Sequence, residues 1–356
     1  MEINLIKVIL PAVVAFIVGM GFTPILTNYL YKNKMWKKKA KTVAIDGRGT
    51  PIFNSLHAEK EVGTPRMGGI VIWASVFITT IIFWVFGHLF SGGIFSKLDF
   101  LSRDQTWIPL FILIFGAMVG MVDDLLEIKG TGGNYAGGLS LKKRLILVGL
   151  ISIIISFWFY FKLDINTINI PFMESINLGL FFIPIFVGVV LLMYSGGIID
   201  GIDGLSGGVF ASIFTTYAVI AFSQNQINIA AFCAVVSGSI LAFLWFNIPP
   251  ARFYMSETGS MALTICLAIV AFMTDSMGGG RGIAVLPIIA FPLIVTTISV
   301  VAQVLSKKFR NGKKIFLVAP IHHHFEAKGW PASKVTMRYW IVSLICAIFG
   351  LILALI

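Results

Sequence analysis

Ten long apolar runs, each near the length a helix needs to cross a bilayer, constrain this chain more than any other feature. They lie near residues 5–30, 68–90, 107–122, 143–162, 177–196, 206–224, 227–246, 259–275, 283–305 and 337–356. An α-helix rises about 1.5 Å per residue, so roughly 20 apolar residues span the ~30 Å hydrocarbon core. The run 107–122 is short for a full crossing. Of the 356 residues, 57% are hydrophobic and only 12% charged, with a mean hydropathy of +0.92. A soluble domain of that size has no interior able to hide so much apolar surface. The expected fold is all-α: a polytopic membrane protein of about ten transmembrane helices, forming one domain over residues 1–356. The first run is too long for the apolar part of a signal peptide and reads as a retained helix.

Loop charge orients the helices. Alternating the connections puts about 31–67, 123–144, 194–205, 247–258 and 306–338 on one side. Those segments carry 22 of the 27 Lys and Arg; the other side has Lys7, Lys97, Arg103, Lys162 and Arg281. Short basic loops stay in the cytoplasm, so these five segments are expected inside and both termini outside. A miscount by one helix would scramble the asymmetry, so it also supports an even number. The net charge of +11 is thus mostly a property of one face. It serves topology and attraction to anionic membrane lipid, and part of it can draw in a phosphorylated substrate. The basic residues come with no recognition fold, so no nucleic-acid partner is expected. Lys37-Lys38-Lys39-Ala40-Lys41 reads as a stop-transfer anchor. Cys233, Cys266 and Cys346 lie inside apolar runs and read as small buried hydrophobes rather than a disulfide or metal set.

All the unusual polar motifs fall on the basic side. Asp123-Asp124 closes the third run, and Asp200-Gly201-Ile202-Asp203-Gly204 follows the fifth. Glu257-Thr258-Gly259-Ser260 opens the eighth, and Pro320-Ile321-His322-His323-His324-Phe325-Glu326 lies in the last basic loop. Two like charges at a bilayer boundary are costly unless a cation or substrate offsets them, although a solvated helix end would also carry them. The Asp-Gly loop could be a tight turn, with glycines at positive φ and Asp bonding its own backbone. It could equally let backbone amides approach a phosphate or nucleobase. Glu257 alone is an ordinary favourable charge at a helix start. The histidines could bind zinc, but three consecutive residues point in different directions and only two could readily share an ion. Contact with a phosphorylated substrate suits them better. Four loops converging on one interface favour a catalytic basin, and carboxylates acting on a phosphorylated substrate point to Mg²⁺.

At these residues the chain resembles the phospho-N-acetylmuramoyl-pentapeptide transferase family, of the polyprenyl-phosphate N-acetylhexosamine-1-phosphate transferase superfamily. Gly63-Thr64-Pro65-Arg66-Met67-Gly68-Gly69 looks like the family's GTPTMGG segment. Val122-Asp123-Asp124 and Gly138-Leu139-Ser140 match its next blocks, Asp200-Gly201-Ile202-Asp203-Gly204-Leu205 its DGLDGL loop, and Trp245-Phe246-Asn247 its WFN. Ala319-Pro320-Ile321-His322-His323-His324-Phe325-Glu326, continuing to Lys328-Gly329-Trp330, resembles its most specific signature.

The resemblance implies ten transmembrane helices, a cytoplasmic active site in a bacterial inner (plasma) membrane, and a possible homodimer. It implies Mg²⁺-dependent transfer of phospho-N-acetylmuramoyl-pentapeptide from its UDP carrier to undecaprenyl phosphate, giving lipid I and UMP for peptidoglycan. It casts Asp123, Asp124 and Glu257 as catalytic, with Glu257 and Asp123 as metal ligands. Asp200, Asp203, Gly204, Asn247, His322, His323, His324, Thr64 and Lys142 would bind substrate. Three positions depart from the family pattern: Glu257 stands for an aspartate in an M-G-D-x-G-S segment, Gly197 for an asparagine, and Arg66 for the second threonine of GTPTMGG. A sibling transferase using another UDP-N-acetylhexosamine is the nearer alternative. A transporter is the farther one, because it would place charges near the membrane midplane.

Overall fold

The computed structural model describes residues 2–38, 49, 55, 62–90, 93–131, 138–276 and 280–356. Lys39, Ala40 and Lys41 of the basic run lie outside the described residues. Among the described residues, ten helices are long and apolar enough to cross a membrane. Within the bilayer every backbone polar group must be satisfied inside the chain, and a helix does that segment by segment. In order come α1 (Glu2–Lys32), α2 (Ile70–Leu89), the short α3 (Ile94–Leu98), α4 (Trp107–Lys129) and α5 (Leu141–Phe157). A π-helical turn extends α5 to Lys162, and a two-residue hairpin follows, β1 (Thr167–Ile168) against β2 (Ile176–Asn177), antiparallel with Thr167 opposite Asn177. The chain then forms α6 (Phe182–Ser195), α7 (Leu205–Ser223), α8 (Ile227–Asn247), α9 (Ser256–Ser276), α10 (Gly282–Ile289), α11 (Phe291–Phe309), α12 (Ile321–Ala327) and α13 (Ala332–Leu355).

Two spans differ from the apolar runs. The run 107–122 is the start of a 23-residue helix, because Asp123, Asp124 and Glu127 continue α4 rather than end it. The run 283–305 is two helices, broken at Ala290. Pro292 in the first turn of α11 lacks an amide hydrogen and suits a helix start, so the break falls just before it.

Helix α9 forms the axis, packed against α4, α6, α7 and α10, and is the most deeply buried span. Without a hydrophobic drive between helices in lipid, close backbone approach does the holding. A Cβ on Gly120 of α4 would collide with the Glu257 carbonyl, and one on Gly69 with the Gly259 amide. Away from these contacts the core is aromatic: Phe186 stacks on Phe272 at 4.3 Å between ring centroids, flanked by Phe159 and Phe182. Helices α1 and α13 expose Ile9, Ile17, Ile25, Ile341 and Phe349, an outward face suited to lipid.

The polar connections gather at one end of the bundle. Arg66 donates its amide to Met35 O at 2.8 Å, and Tyr254 donates its amide to Pro65 O at 2.9 Å. Asn4 lies at the other end, lining a cavity of about 340 Å³ with Phe222, Ser223, Asn225 and Ile227.

Candidate active site

Four carboxylates and their cations form the floor of the gathered end. Successive residues on α4, Asp123 and Asp124 face different neighbours, about 100° apart on a 3.6-residue turn. The Asp124 side chain is fully buried against the start of α9, where Oδ2 accepts from the Thr258 amide at 2.9 Å and the Thr258 hydroxyl at 2.6 Å. This is a helix N-terminus, whose unpaired amides favour a negative charge. The Glu257 amide lies at 3.4 Å from Asp124 Oδ1. Asp123, 3% exposed, turns toward the 138–140 segment, where the Leu139 amide donates to Oδ1 at 2.6 Å.

Arg144, one turn into α5, reaches both Glu257 Oε1 and, at 3.7 Å, Asp123 Oδ2. Arg66 Nε lies 3.6 Å from Asp124 Oδ1, while its Nη2 holds Glu127 Oε2 at 2.8 Å. Lys37 takes the other Glu127 oxygen at 2.9 Å. The ligand atoms of Asp123, Asp124 and Glu127 come within 4.8 Å of one another. All are oxygens, the donor type a hard divalent cation takes. Glu257 lies in the first turn of α9, with its carboxylate turned to Arg144. Glu127 thus lies with the two aspartates in one oxygen cluster, next to the pairing of Asp123 with Glu257 that the family resemblance implies.

The second wall joins the Asp-Gly loop to the 248–256 connection. Asp200 accepts from Ser206 Oγ at 2.7 Å and from the Ser256 amide at 2.8 Å. Burial pushes its pKa above the ordinary carboxylate value, opposed by those two hydrogen bonds. Asp203 Oδ2 accepts from the Ala251 amide at 3.3 Å. Asn247, buried at the end of α8, accepts from the Gly204 amide at 3.0 Å and donates to Phe253 O at 2.8 Å. Gly204 sits at φ +74°, which a side chain would strain. These aspartates thus reach across to another connection instead of bonding only their own turn.

The histidines occupy α12, and its geometry divides them. A Cβ on Gly201 would lie 2.6 Å from His322 Nε2 and 2.8 Å from His323 Nε2, so both rings cover the Asp-Gly loop. His323 Nδ1 bonds Glu326 Oε2 at 2.7 Å, one turn on along the helix. His324 points elsewhere, accepting at Nδ1 from the Leu317 amide at 3.1 Å. Burial, with Lys328 nearby, lowers its pKa. A neutral ring so bonded carries its proton on Nε2.

The Glycosyl transferase family 4 profile matches residues 106–275, a stretch that includes both Asp123-Asp124 and Glu257. Proteins named phospho-N-acetylmuramoyl-pentapeptide-transferase align over far more of the chain. One from Clostridium perfringens is 32% identical over 344 residues, covering 95% of this chain and 94% of that protein. One from Rickettsia bellii is 33% identical over 313 residues, 82% of this chain and 80% of its own length. One from Geobacillus sp. is 35% identical over 301 residues, 82% and 84% respectively.

The chain belongs to the phospho-N-acetylmuramoyl-pentapeptide-transferase family. It is an all-α, multi-pass membrane transferase.

Within this family frame, most residues singled out in the sequence converge. Asp123, Asp124 and Glu257 meet on the floor, and Asp200, Asp203, Gly204, Asn247, His322 and His323 form the adjoining wall. Thr64 is partly buried one residue before the pairing of Pro65 with Tyr254. Lys142 is exposed, and Arg144 two residues later is the side chain that turns inward. The sequence gives Arg144 and Glu127 no role, reads Lys37 only as part of an anchor and Thr258 only as a neighbour of Glu257. A signal existed for Glu127: it lies three residues beyond Asp124 on a helix, which puts both on one face. The apolar run by itself ends at Val122 and hides that the helix continues to Lys129.

Proposed function

We propose that this chain transfers phospho-N-acetylmuramoyl-pentapeptide from its UDP carrier to undecaprenyl phosphate at the cytoplasmic face of a bacterial inner membrane, giving lipid I and UMP. The observation that carries this reading is the meeting of the Asp123-Asp124 pair, the Asp-Gly loop and the histidine helix at one end of a ten-span bundle. The split of 22 basic residues against five supports the cytoplasmic assignment of that end. An interfacial site suits an acceptor whose phosphate lies at headgroup depth and whose tail stays in the bilayer.

The oxygen-only triad of Asp123, Asp124 and Glu127 fits Mg²⁺. Asp123 Oδ2 and Asp124 Oδ1 are the oxygens turned toward guanidinium groups and away from the anchoring Leu139 and Thr258 bonds. Bound there, Mg²⁺ would neutralise donor diphosphate charge and stabilise the leaving phosphate. The chain's own residues do the rest. Asp123 orients the acceptor phosphate for attack on the donor phosphorus. Asp124, anchored by Thr258, fixes the geometry of that oxygen cluster. His322 and His323 hold donor oxygens over the Asp-Gly loop, and Asp200 and Asp203 brace the backbone of the nucleoside side. Glu257 keeps Arg144 in place beside the reacting phosphates.

The test uses purified protein with Mg²⁺, undecaprenyl phosphate and UDP-N-acetylmuramoyl-pentapeptide, following UMP. Release with this donor is expected. Release only with another UDP-N-acetylhexosamine would move the assignment to the sibling transferase. Activity should also vanish with EDTA, return with Mg²⁺ and survive a zinc-selective chelator.

A further inference from the structure

The 310–320 connection folds back from the end of α11 and is pinned along its return. Gly312 turns the chain at φ +83°, with its amide donating to Lys307 O at 2.9 Å. Gln303, buried on α11, then holds the returning strand of chain. Its Oε1 accepts from the Ile315 amide at 2.9 Å and the Phe316 amide at 3.0 Å, and its Nε2 donates to Phe316 O at 2.8 Å. Ser306 Oγ donates to Lys313 O at 2.9 Å. From α12, His324 meets Phe316 edge-on at 5.4 Å between ring centroids and accepts the Leu317 amide at Nδ1. Between these walls lies a cavity of about 310 Å³, lined by Lys314, Ile315, Phe316, Leu317, His324 and Lys328.

The lining is cationic and apolar at once. Neither Lys314 nor Lys328 meets a carboxylate among the described residues, and the nearby acid Glu326 bonds His323 instead. His324, accepting at Nδ1, keeps its Nε2 hydrogen as a donor. Ile315 and Leu317, on either side of the inward Phe316, are 51% and 46% exposed. Gln303 lies within two turns of the end of a membrane-crossing helix whose last turn carries Lys307 and Lys308, which puts the cavity at headgroup depth. A soluble anion would satisfy the lysines and leave Ile315 and Leu317 in water, whereas a phospholipid answers both. We propose that this cavity binds the phosphate of an anionic phospholipid, with Lys314, Lys328 and His324 as donors and with Ile315 and Leu317 against the acyl chains. The site is separate from the reaction basin, because His322 and His323 cover the Asp-Gly loop from another face of α12.

The test places the photoreactive residue p-benzoylphenylalanine at position 317 of the full chain, in vesicles of equal parts phosphatidylcholine and phosphatidylglycerol. Irradiation and mass spectrometry of the labelled peptide then count the two lipid adducts. Phosphatidylglycerol adducts are expected to exceed phosphatidylcholine adducts on the order of fivefold or more, each lysine near an anionic headgroup contributing about that factor. The double change Lys314→Gln with Lys328→Gln should bring the two adducts near parity. Lys308→Gln, which removes a charge from the same end of α11 outside the cavity, should keep the preference. Parity in the parent, no lipid adduct, or a preference that survives the double change overturns the proposal. Loss of the adduct on adding inorganic phosphate would make this a site for free anions and overturn the lipid assignment. Loss on adding UDP-N-acetylmuramoyl-pentapeptide would give the cavity to carboxylates of that molecule and overturn it equally. Lys314 and Lys328 are exposed, so folded yield should be unchanged in the variants, and UMP release from the same vesicles tests the transferase reading separately.

Discussion

Asp275, at the end of the bundle away from the site, is as buried as Asp124, yet the described structure answers it with amides alone. Its carboxylate accepts from the Asn169 amide at 3.1 Å and the Ile283 amide at 3.2 Å, while Asn169 Nδ2 donates to its carbonyl at 2.9 Å. Those bonds tie the hairpin and the start of α10 to the end of α9, and each carboxylate oxygen has its partner. At the opposite end, Asp123, Asp124, Glu127 and Glu257 share Arg66, Arg144 and Lys37. Two of their oxygens meet cations only at 3.6–3.7 Å. A staple is saturated with fixed donors. A working site keeps charge that a ligand can still claim, at a cost in stability.

The sharpest break of that contrast is a matched pair of isosteric changes. Asp124→Asn should lower UMP release on the order of 10²–10⁴-fold with the folded yield preserved. Asp275→Asn should leave the rate per folded molecule near the parent. Comparable loss of turnover in both would erase the distinction.

A second comparison concerns geometry. Glu257→Asp shortens the reach to Arg144, and a shift of about 1 Å can change a rate ~10²-fold. The change will appear in kcat more than in KM if Glu257 only positions Arg144. The carbonyl of the same residue supports a packing test: Gly120→Val forces α4 away from α9 and should cost about 1–3 kcal/mol, read as a lower unfolding midpoint in detergent. The histidines follow, with His323→Ala expected to raise the donor KM several-fold and His324→Ala to leave it near the parent value. Equal effects would mean that the division of α12 into two faces has no functional meaning. The smallest effect belongs to Asp275→Asn itself, which places an amide donor against an amide donor. It should cost about 1–3 kcal/mol, a shift of a few degrees in midpoint.

Much of this was legible in the chain because apolar runs and basic loops act locally. A span must supply about 20 apolar residues wherever it sits, so the ten helices followed from length alone. Loop parity likewise placed Asp123, Asp200, Glu257 and the histidines at a common end. Helix limits were harder to read, since Asp123, Asp124 and Glu127 look like a terminus until α9 and the basic side chains are there to accept them. The Ala290 break was open to reading from Pro287 and Pro292, but two successive helices and one span have the same apolar content.

By itself, the sequence determined the class of molecule, the number of spans and the loops that share a face, because those depend on transfer from water to lipid residue by residue. The tertiary structure decided which charges meet. Glu127 joins the paired aspartates beside Glu257, Arg66 and Lys37 come to Glu127 from two separate connections, and His324 parts company with its neighbours. Side-chain direction at a buried site is set by the elements packed around it, and spacing along the chain does not encode it.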